Sequence, residues 1–594
     1  MSSAVKTILA IVAVLLAFLV AVGLYILPTL GEESDGTAAN TGTQISDTEI
    51  SSGSDKTDNS PASNTGDKTD SNTETGTNPA ASTPVFTESE PKSGAVITFS
   101  GSSVAVTGSS AAAVKVEGTA VTISAAGTYT VTGTSSEGSV KVKKGTTGVT
   151  LVLKNLDLTC STTAPVSINK TSKATIWVSG TVALTDKEDL ANDTDSETST
   201  FEGAAIKVKS GASLTVTGSG TLNINGNCKN GIKGAAESVI ILTGGVTSNI
   251  TAANNGLAAD GALAIQSGVV NVNAVNEGIK AVPDDGDAAS AGTIYITGGT
   301  VTVQSKDKGI QALEINVGGG TLSVTSEDDA FNAAVINVTA GDVTVNTGDD
   351  GFHADSAVTF GVLGEKGPNV NIANSHEGIE SGDIVLNSGN IYVYGTDDGI
   401  NAADGSGNNN VSSFGGRGGM STPTATLTVN GGTLIVETPT GDTDAIDCNG
   451  SYIQNGGTVL VLGGNSTGSM AGSVDVDGTV TVKGGLIVAL GGICETPGSD
   501  SVNTVVVGRT AFSAGSYVIK DSKGTEIYSF TLKKIFTGCW ISADTLTLNE
   551  SYTITKDGSE FYSWTQSAQT VGSAGTGSGW GGGFGGGGRT GGRR

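Results

Sequence analysis

Acidic side chains return along this chain at a spacing suited to holding cations. Between Ser326 and Asp404 one phrase occurs four times: an acidic pair or near-pair, then a small, an apolar, a polar and a small residue. The copies begin Asp328-Asp329-Ala330-Phe331, Asp349-Asp350-Gly351-Phe352, His376-Glu377-Gly378-Ile379 and Asp397-Asp398-Gly399-Ile400. Asp328, Asp329, Asp349, Asp350, Asp355, Glu377, Asp397, Asp398, Asp404 and Asp444 are therefore the candidate metal ligands. Ligands that are nearly all oxygen suit calcium better than zinc or copper, which favour His or Cys. A single Asp-Asp-Gly is an ordinary solvated turn; its repetition in register is what points to calcium. There is no EF-hand loop and no GGxGxD nonapeptide.

The elements that would place these groups are short strands. Indexed by its small residue, the phrase falls at Gly231, Gly256, Gly278, Gly309, Ala330, Gly351, Gly378, Gly399 and Ala445, and its base interval is 21 residues, as from Ala330 to Gly351. Longer intervals contain inserts at Pro283 to Ala291, Phe360 to Pro368 and Gly405 to Ser421. Each period holds three alternating apolar runs separated by Gly, Asn or Ser turns. Three strands of about five residues per 21-residue turn predict an all-β parallel β-helix, because a doubly wound sheet or TIM barrel would need helical segments between strands.

Side chains alternate along a strand, so the polar residue of each Gly-Ile-x-Ala piece should face outward. That column reads Lys233, Ala258, Lys280, Gln311, Asn332, His353, Glu380, Asn401 and Asp447, beside a second column of Asn230, Asn255, Glu277, Lys308, Asp329, Asp350, Glu377, Asp398 and Asp444. Coils stack about 4.8 Å apart. Like charges at that distance repel by on the order of a few kcal/mol at an effective dielectric near 20. Summed over several coils, the repulsion would rival the stability of a domain, and bound calcium would relieve it. His353, in the outward column, is expected as an exposed polar rung rather than an acid-base catalyst. With Glu380, Asn401, Tyr392 and Tyr394 it forms the expected ligand-binding surface, the tyrosines offering a platform for sugar rings.

The rest of the chain sets limits. A formal net charge of -27 over 594 residues argues against nucleic acid as partner, since a phosphate backbone needs a basic footprint. Residues 1–30 include an uncharged apolar run, Thr7 to Leu27, that reads either as a signal peptide cut near Ala21-Val22-Gly23 or as a membrane anchor. Lys6 before it and Glu32, Glu33 and Asp35 after it predict export of the downstream chain. Residues 31–92 read as a disordered Ser/Thr/Asp-rich linker, 93–500 as the β-helix, 501–566 as a small C-terminal β cap, and 567–594 as a flexible Gly-rich tail. Cys160, Cys228, Cys448, Cys494 and Cys539 have neither metal-site nor scaffold spacing and are expected as buried small hydrophobes.

Gly127-Thr128-Tyr129-Thr130-Val131-Thr132-Gly133, Val149 to Leu156, Asn227-Cys228-Lys229-Asn230-Gly231-Ile232 and Asp349 to Asp355 resemble the bacterial secreted carbohydrate-binding domain-containing β-helix proteins. The resemblance covers roughly residues 95 to 558. It implies a right-handed, pectate-lyase-like parallel β-helix that binds calcium and binds polygalacturonate and cellulose without cleaving them. Lys229, Lys233, Lys280 and Lys308 stand where acids would be needed, so the resemblance does not carry calcium to the early coils. The expected protein is thus an extracellular, secreted or surface-anchored monomer that binds acidic polysaccharide through calcium. Two alternatives stay open on the sequence: a calcium-dependent pectate lyase with Lys280 or Lys308 as base, and a structural surface adhesin.

Overall fold

The computed structural model describes residues 88–194, 201–283, 292–403, 425–441, 443–465 and 472–574. The chain divides into two compact units, Met1–Ala81 and Ser82–Arg594, and all described residues belong to the second. The apolar N-terminal run, most of the linker, Asp404, nearly all of the first and third inserts, and most of the Gly-rich tail lie outside the described residues.

Among the described residues there is no α-helix, only single 3-10 turns at Ala111–Ala113 and Leu190–Asn192. No helix among them is long and apolar enough to cross a membrane. The strands are mostly parallel, and each pairs with its counterpart one repeat later. Ile279–Ala281 pairs with Ile310–Ala312, Thr293–Ile296 with the strand starting at Glu314, and Thr300–Ser305 with that same long strand further along. Three walls of stacked strands result, so the architecture is β-helix-like. The expected alternation is present: Ile310 and Ala312 are buried and Gln311 is half-buried.

The core is a continuous file of Val, Ile, Leu and Ala side chains with aromatics at a few levels. Phe331 and Phe352, both at the apolar position of the phrase, stack with ring centroids 4.5 Å apart and planes 5° apart. On the outer face of the third wall, side-chain amides run in a ladder along the axis. Asn271 donates to Asn249 and Asn249 to Asn223, each at 2.9 Å. The phrase needs a small residue because coils meet closely there; a Cβ on Gly378 would run into Val393 and the carbonyl of Gly399.

Both ends of the stack are closed by antiparallel pairing, which blunts edges open to aggregation. At the start lie the hairpins Ala95–Ser100 with Ser103–Thr107 and Val114–Glu117 with Ala120–Ile123. At the other end Leu486–Leu490 pairs antiparallel with Phe536–Ala543. A separate four-stranded antiparallel sheet comprises Glu526–Leu532, Gly515–Asp521, Ser551–Lys556 and Ser559–Thr565.

This C-terminal region covers more than the end of the core. Val459 and Val461 face the interior, while Leu460 and Leu462 join a second apolar cluster with Val488, Leu490, Phe512, Tyr517 and Phe530. The sheets therefore also lie on the outer face of the third wall at the last coils. Cys160, Cys228, Cys448 and Cys539 are buried, Cys494 is half-buried, and no two are joined in a disulfide.

Candidate functional site

Two polar columns are built by backbone register. The amide of each small residue donates to the carbonyl of the acid-column residue one coil on: Gly309 to Asp329 at 2.9 Å, Ala330 to Asp350 at 2.8 Å, Gly351 to Glu377 at 3.0 Å, Gly378 to Asp398 at 3.1 Å and Gly399 to Asp444 at 3.1 Å. The neighbouring column runs in register through Gln311, Asn332, His353, Glu380, Asn401 and Asp447. Parallel pairing thus forces carboxylates from successive coils onto one seam.

In the middle of the seam the side chains converge. Asp328, Asp329 and Asp349 place carboxylate oxygens within 4.8 Å of one another, as do Asp350, Glu377 and Glu380; three further groups bring in His353 and His376, and through His376 also Asp397. Because these groups share members, they form one band. The chain supplies some of its own countercharge. His353 Nδ1 lies 2.9 Å from Asp350 Oδ2 and 2.8 Å from Glu380 Oε2. Lys308 Nζ lies 2.7 Å from Asp328 Oδ1 and 3.0 Å from Asp329 Oδ2. His353 is therefore not the exposed rung the sequence suggested: it is half-buried between two acids, one on its own coil three residues back and one a coil further on.

Hydrogen bonds to Asp350 and Glu380 push the His353 imidazole up to about 10, so it is a cation at neutral pH. Its two partners respond in opposite directions: burial pushes Asp350 up, whereas the bond from His353 holds Glu380 down. The ionised Glu380 is the firm partner of the imidazolium, because Asp350 is the more deeply buried of the two. Among the described residues no lysine or arginine pairs with Glu377, and burial, reinforced by Asp350, Glu380 and Asp398, pushes it up to about 8. Its one hydrogen bond comes from Asn401 Nδ2 at 3.0 Å, while Asn401 Oδ1 is buried without a partner.

Three converging carboxylates, with an orphaned amide oxygen on the Asn401 side chain that bonds one of them, offer oxygen donors. Calcium accepts such a set, carboxylate and side-chain carbonyl together. Binding there would relieve both the crowding that raises Glu377 and the unsatisfied Asn401 oxygen. Each triad already carries one cation of the chain's own, Lys308 at Asp328 and Asp329 and His353 at Asp350 and Glu380; the second differs in holding Glu377, which burial and its acidic neighbours raise to about 8.

Other expected site residues sit elsewhere. Asp398 and Asp444 continue the column beyond the convergent band; burial pushes Asp398 up and Asp444 up to about 7. Asp355 is exposed beyond the corner and joins none of the groups. Tyr392 and Tyr394 lie half-buried on the third wall, where Tyr392 donates to Glu437 Oε2 at 3.2 Å. In earlier coils lysines meet acids directly, as Lys280 does Glu277 and Lys233 does Asp260.

The outward column also extends beyond the residues read from the sequence, through Lys207 and Ser167 to Lys141 on one side and to Asp475 on the other. Lys207 and Asp475 follow an apolar residue in a looser version of the phrase, Ala-Ile-Lys-Val and Ser-Val-Asp-Val, which a template demanding a small final residue passes over.

No curated protein matches this chain. A solved structure described as the polysaccharide lyase-like protein from C. thermocellum, in a gadolinium derivative, is similar at 24% identity, covering 47% of this chain and 96% of that one, with a TM-score of 0.32. The family model of the carbohydrate-binding domain-containing proteins matches residues 117–416, just over half of the chain and the whole of the convergent acidic band. The chain belongs to the carbohydrate-binding domain-containing protein family.

Proposed function

We propose that this is an extracellular protein whose right-handed parallel β-helix binds acidic polysaccharide of the polygalacturonate type through calcium, without cleaving it. Membership of a carbohydrate-binding family supports glycan as the partner. The observation that carries the calcium reading is Glu377, crowded by Asp350 and Glu380 and bonded, among the described residues, by Asn401 alone, whose own oxygen is orphaned. Asp350, Glu377, Glu380 and Asn401 would hold the ion. A calcium ion left with open positions by the protein can also take sugar carboxylates, and His353 and the half-buried polar groups along the seam would contact the sugar hydroxyls.

Binding rather than elimination is favoured by the state of the lysines. A lyase base must be unprotonated when it meets the sugar. Burial pulls Lys308 down, but its hydrogen bonds to Asp328 and Asp329 hold it above its ordinary value overall, and Lys280 is tied to Glu277. The test is calorimetric titration of polygalacturonate into the full chain, with calcium and with chelator. A component of the heat that appears only with calcium, and is lost in Glu377→Gln, supports the proposal; equal heat in both conditions, or a rise in ultraviolet absorbance from unsaturated uronate, contradicts it.

A further inference from the structure

A groove lies where the C-terminal sheet ends against the third wall. It has a volume of about 350 Å³ and is lined by Tyr392, Ile435 and Glu437 from the wall and by Tyr528, Lys533 and Lys534 from the C-terminal region, among others. That size lies within the range of small-molecule sites, about 300–1,000 Å³, and so does the lining of apolar and aromatic groups with a few polar ones.

The polar groups are arranged rather than scattered. Glu437 is held from both sides, by the Tyr392 hydroxyl at 3.2 Å and by Lys534 Nζ at 3.5 Å. Lys534 also donates to the Thr438 carbonyl. Burial, then Glu437, pushes Tyr392 up to about 12, so its hydroxyl keeps its proton and donates. With Glu437 matched by Lys534, Lys533 remains as an exposed cation with no acidic partner among the described residues. Lys533 thus gives the groove a positive charge that could pair with an anionic group of a ligand.

We infer that this groove is a second, calcium-independent glycan subsite that takes a uronate-type sugar. The ring's C–H face rests on Tyr528 and Ile435, its hydroxyls meet Glu437 and Tyr392, and its carboxylate pairs with Lys533. The inference rests on the carbohydrate-binding reading above, but not on calcium. Only Tyr392 of these six residues lies within the part of the chain that defines the family, so the subsite belongs to this chain's own C-terminal region.

The test is binding of trigalacturonate, with cellotriose as the uncharged comparison, to the full chain in excess chelator. Wild type binds trigalacturonate more tightly than cellotriose. Lys533→Met, an exposed change that leaves folding intact, weakens trigalacturonate by about tenfold, the scale of one hydrogen bond to a charged group, and leaves cellotriose unchanged. Tyr528→Ala weakens both, and Glu377→Gln changes neither. No binding in chelator, or trigalacturonate binding that survives Lys533→Met, overturns the inference. Binding in chelator that calcium does not increase overturns the function proposed above instead, so the two failures are distinguishable.

Discussion

Asn401 donates to Glu377 Oε2 at 3.0 Å while its own Oδ1 is buried without a partner. The two residues come from adjacent coils, and each is incomplete: the carboxylate lacks a cation and the amide lacks a donor. One bound cation would complete both.

Removing the charge at Glu377 should therefore separate stability from ion binding. Glu377→Gln is expected to raise the melting temperature of calcium-free protein at pH 8 by a few degrees, since an uncompensated, largely buried carboxylate is lost. The calcium-induced rise expected of wild type should disappear. Thermal melts with and without calcium check this; a variant that is less stable without calcium and still gains from it would contradict the assignment.

His353 should act in the opposite sense. His353→Asn leaves Asp350 and Glu380 without their shared cation and is expected to cost about 1–3 kcal/mol in calcium-free protein, the scale of a charged hydrogen bond lost in a half-buried site. Calcium should recover much of that loss. Denaturant melts in chelator and in calcium give the comparison, and an equal loss in both would mean that His353 does not share the work of neutralisation.

The pH dependence without calcium comes from the raised carboxyls. A carboxyl whose folded pKa lies above its unfolded one stabilises the fold below the unfolded value and loses that contribution as pH rises through the folded value. Burial pushes Glu377 to about 8 and both Glu188 and Asp444 to about 7. Calcium-free protein should therefore melt at progressively lower temperature from about pH 5 to pH 8, and the gain from calcium should grow over the same window. A melting temperature that climbs toward pH 8 in chelator would refute this.

Close stacking at the small position predicts a steric penalty. Gly378→Val would press a side chain into Val393 and the Gly399 carbonyl, at a cost of about 3 kcal/mol. Unfolding of this variant, followed by circular dichroism, should show it; full tolerance would mean that the coils do not approach as described.

Much of the fold was legible because a 21-residue interval fixes which residues meet. Gln311, Asn332 and His353 were expected in one column and pair in that order. What one period cannot reveal is how side chains turn within the seam. His353 reaches Glu380 across an insert and Asp350 on its own coil, so its role as countercharge depends on rotamers rather than on spacing. The groove was illegible for a different reason: Lys534 meets Glu437 from nearly 100 residues away, beyond the last regular coil. A signal was present, however, in the outward positions Leu460, Leu462, Val488 and Leu490, where alternation with polar residues stops and the wall acquires a cover.

The central claim is that coils in register gather carboxylates that need a cation. Crystals of the full chain grown with calcium test it most directly. The account predicts an ion between Asp350, Glu377, Glu380 and Asn401, with oxygen ligands at about 2.3–2.6 Å. Water alone at that place, at a calcium concentration that saturates the thermal shift, would contradict it.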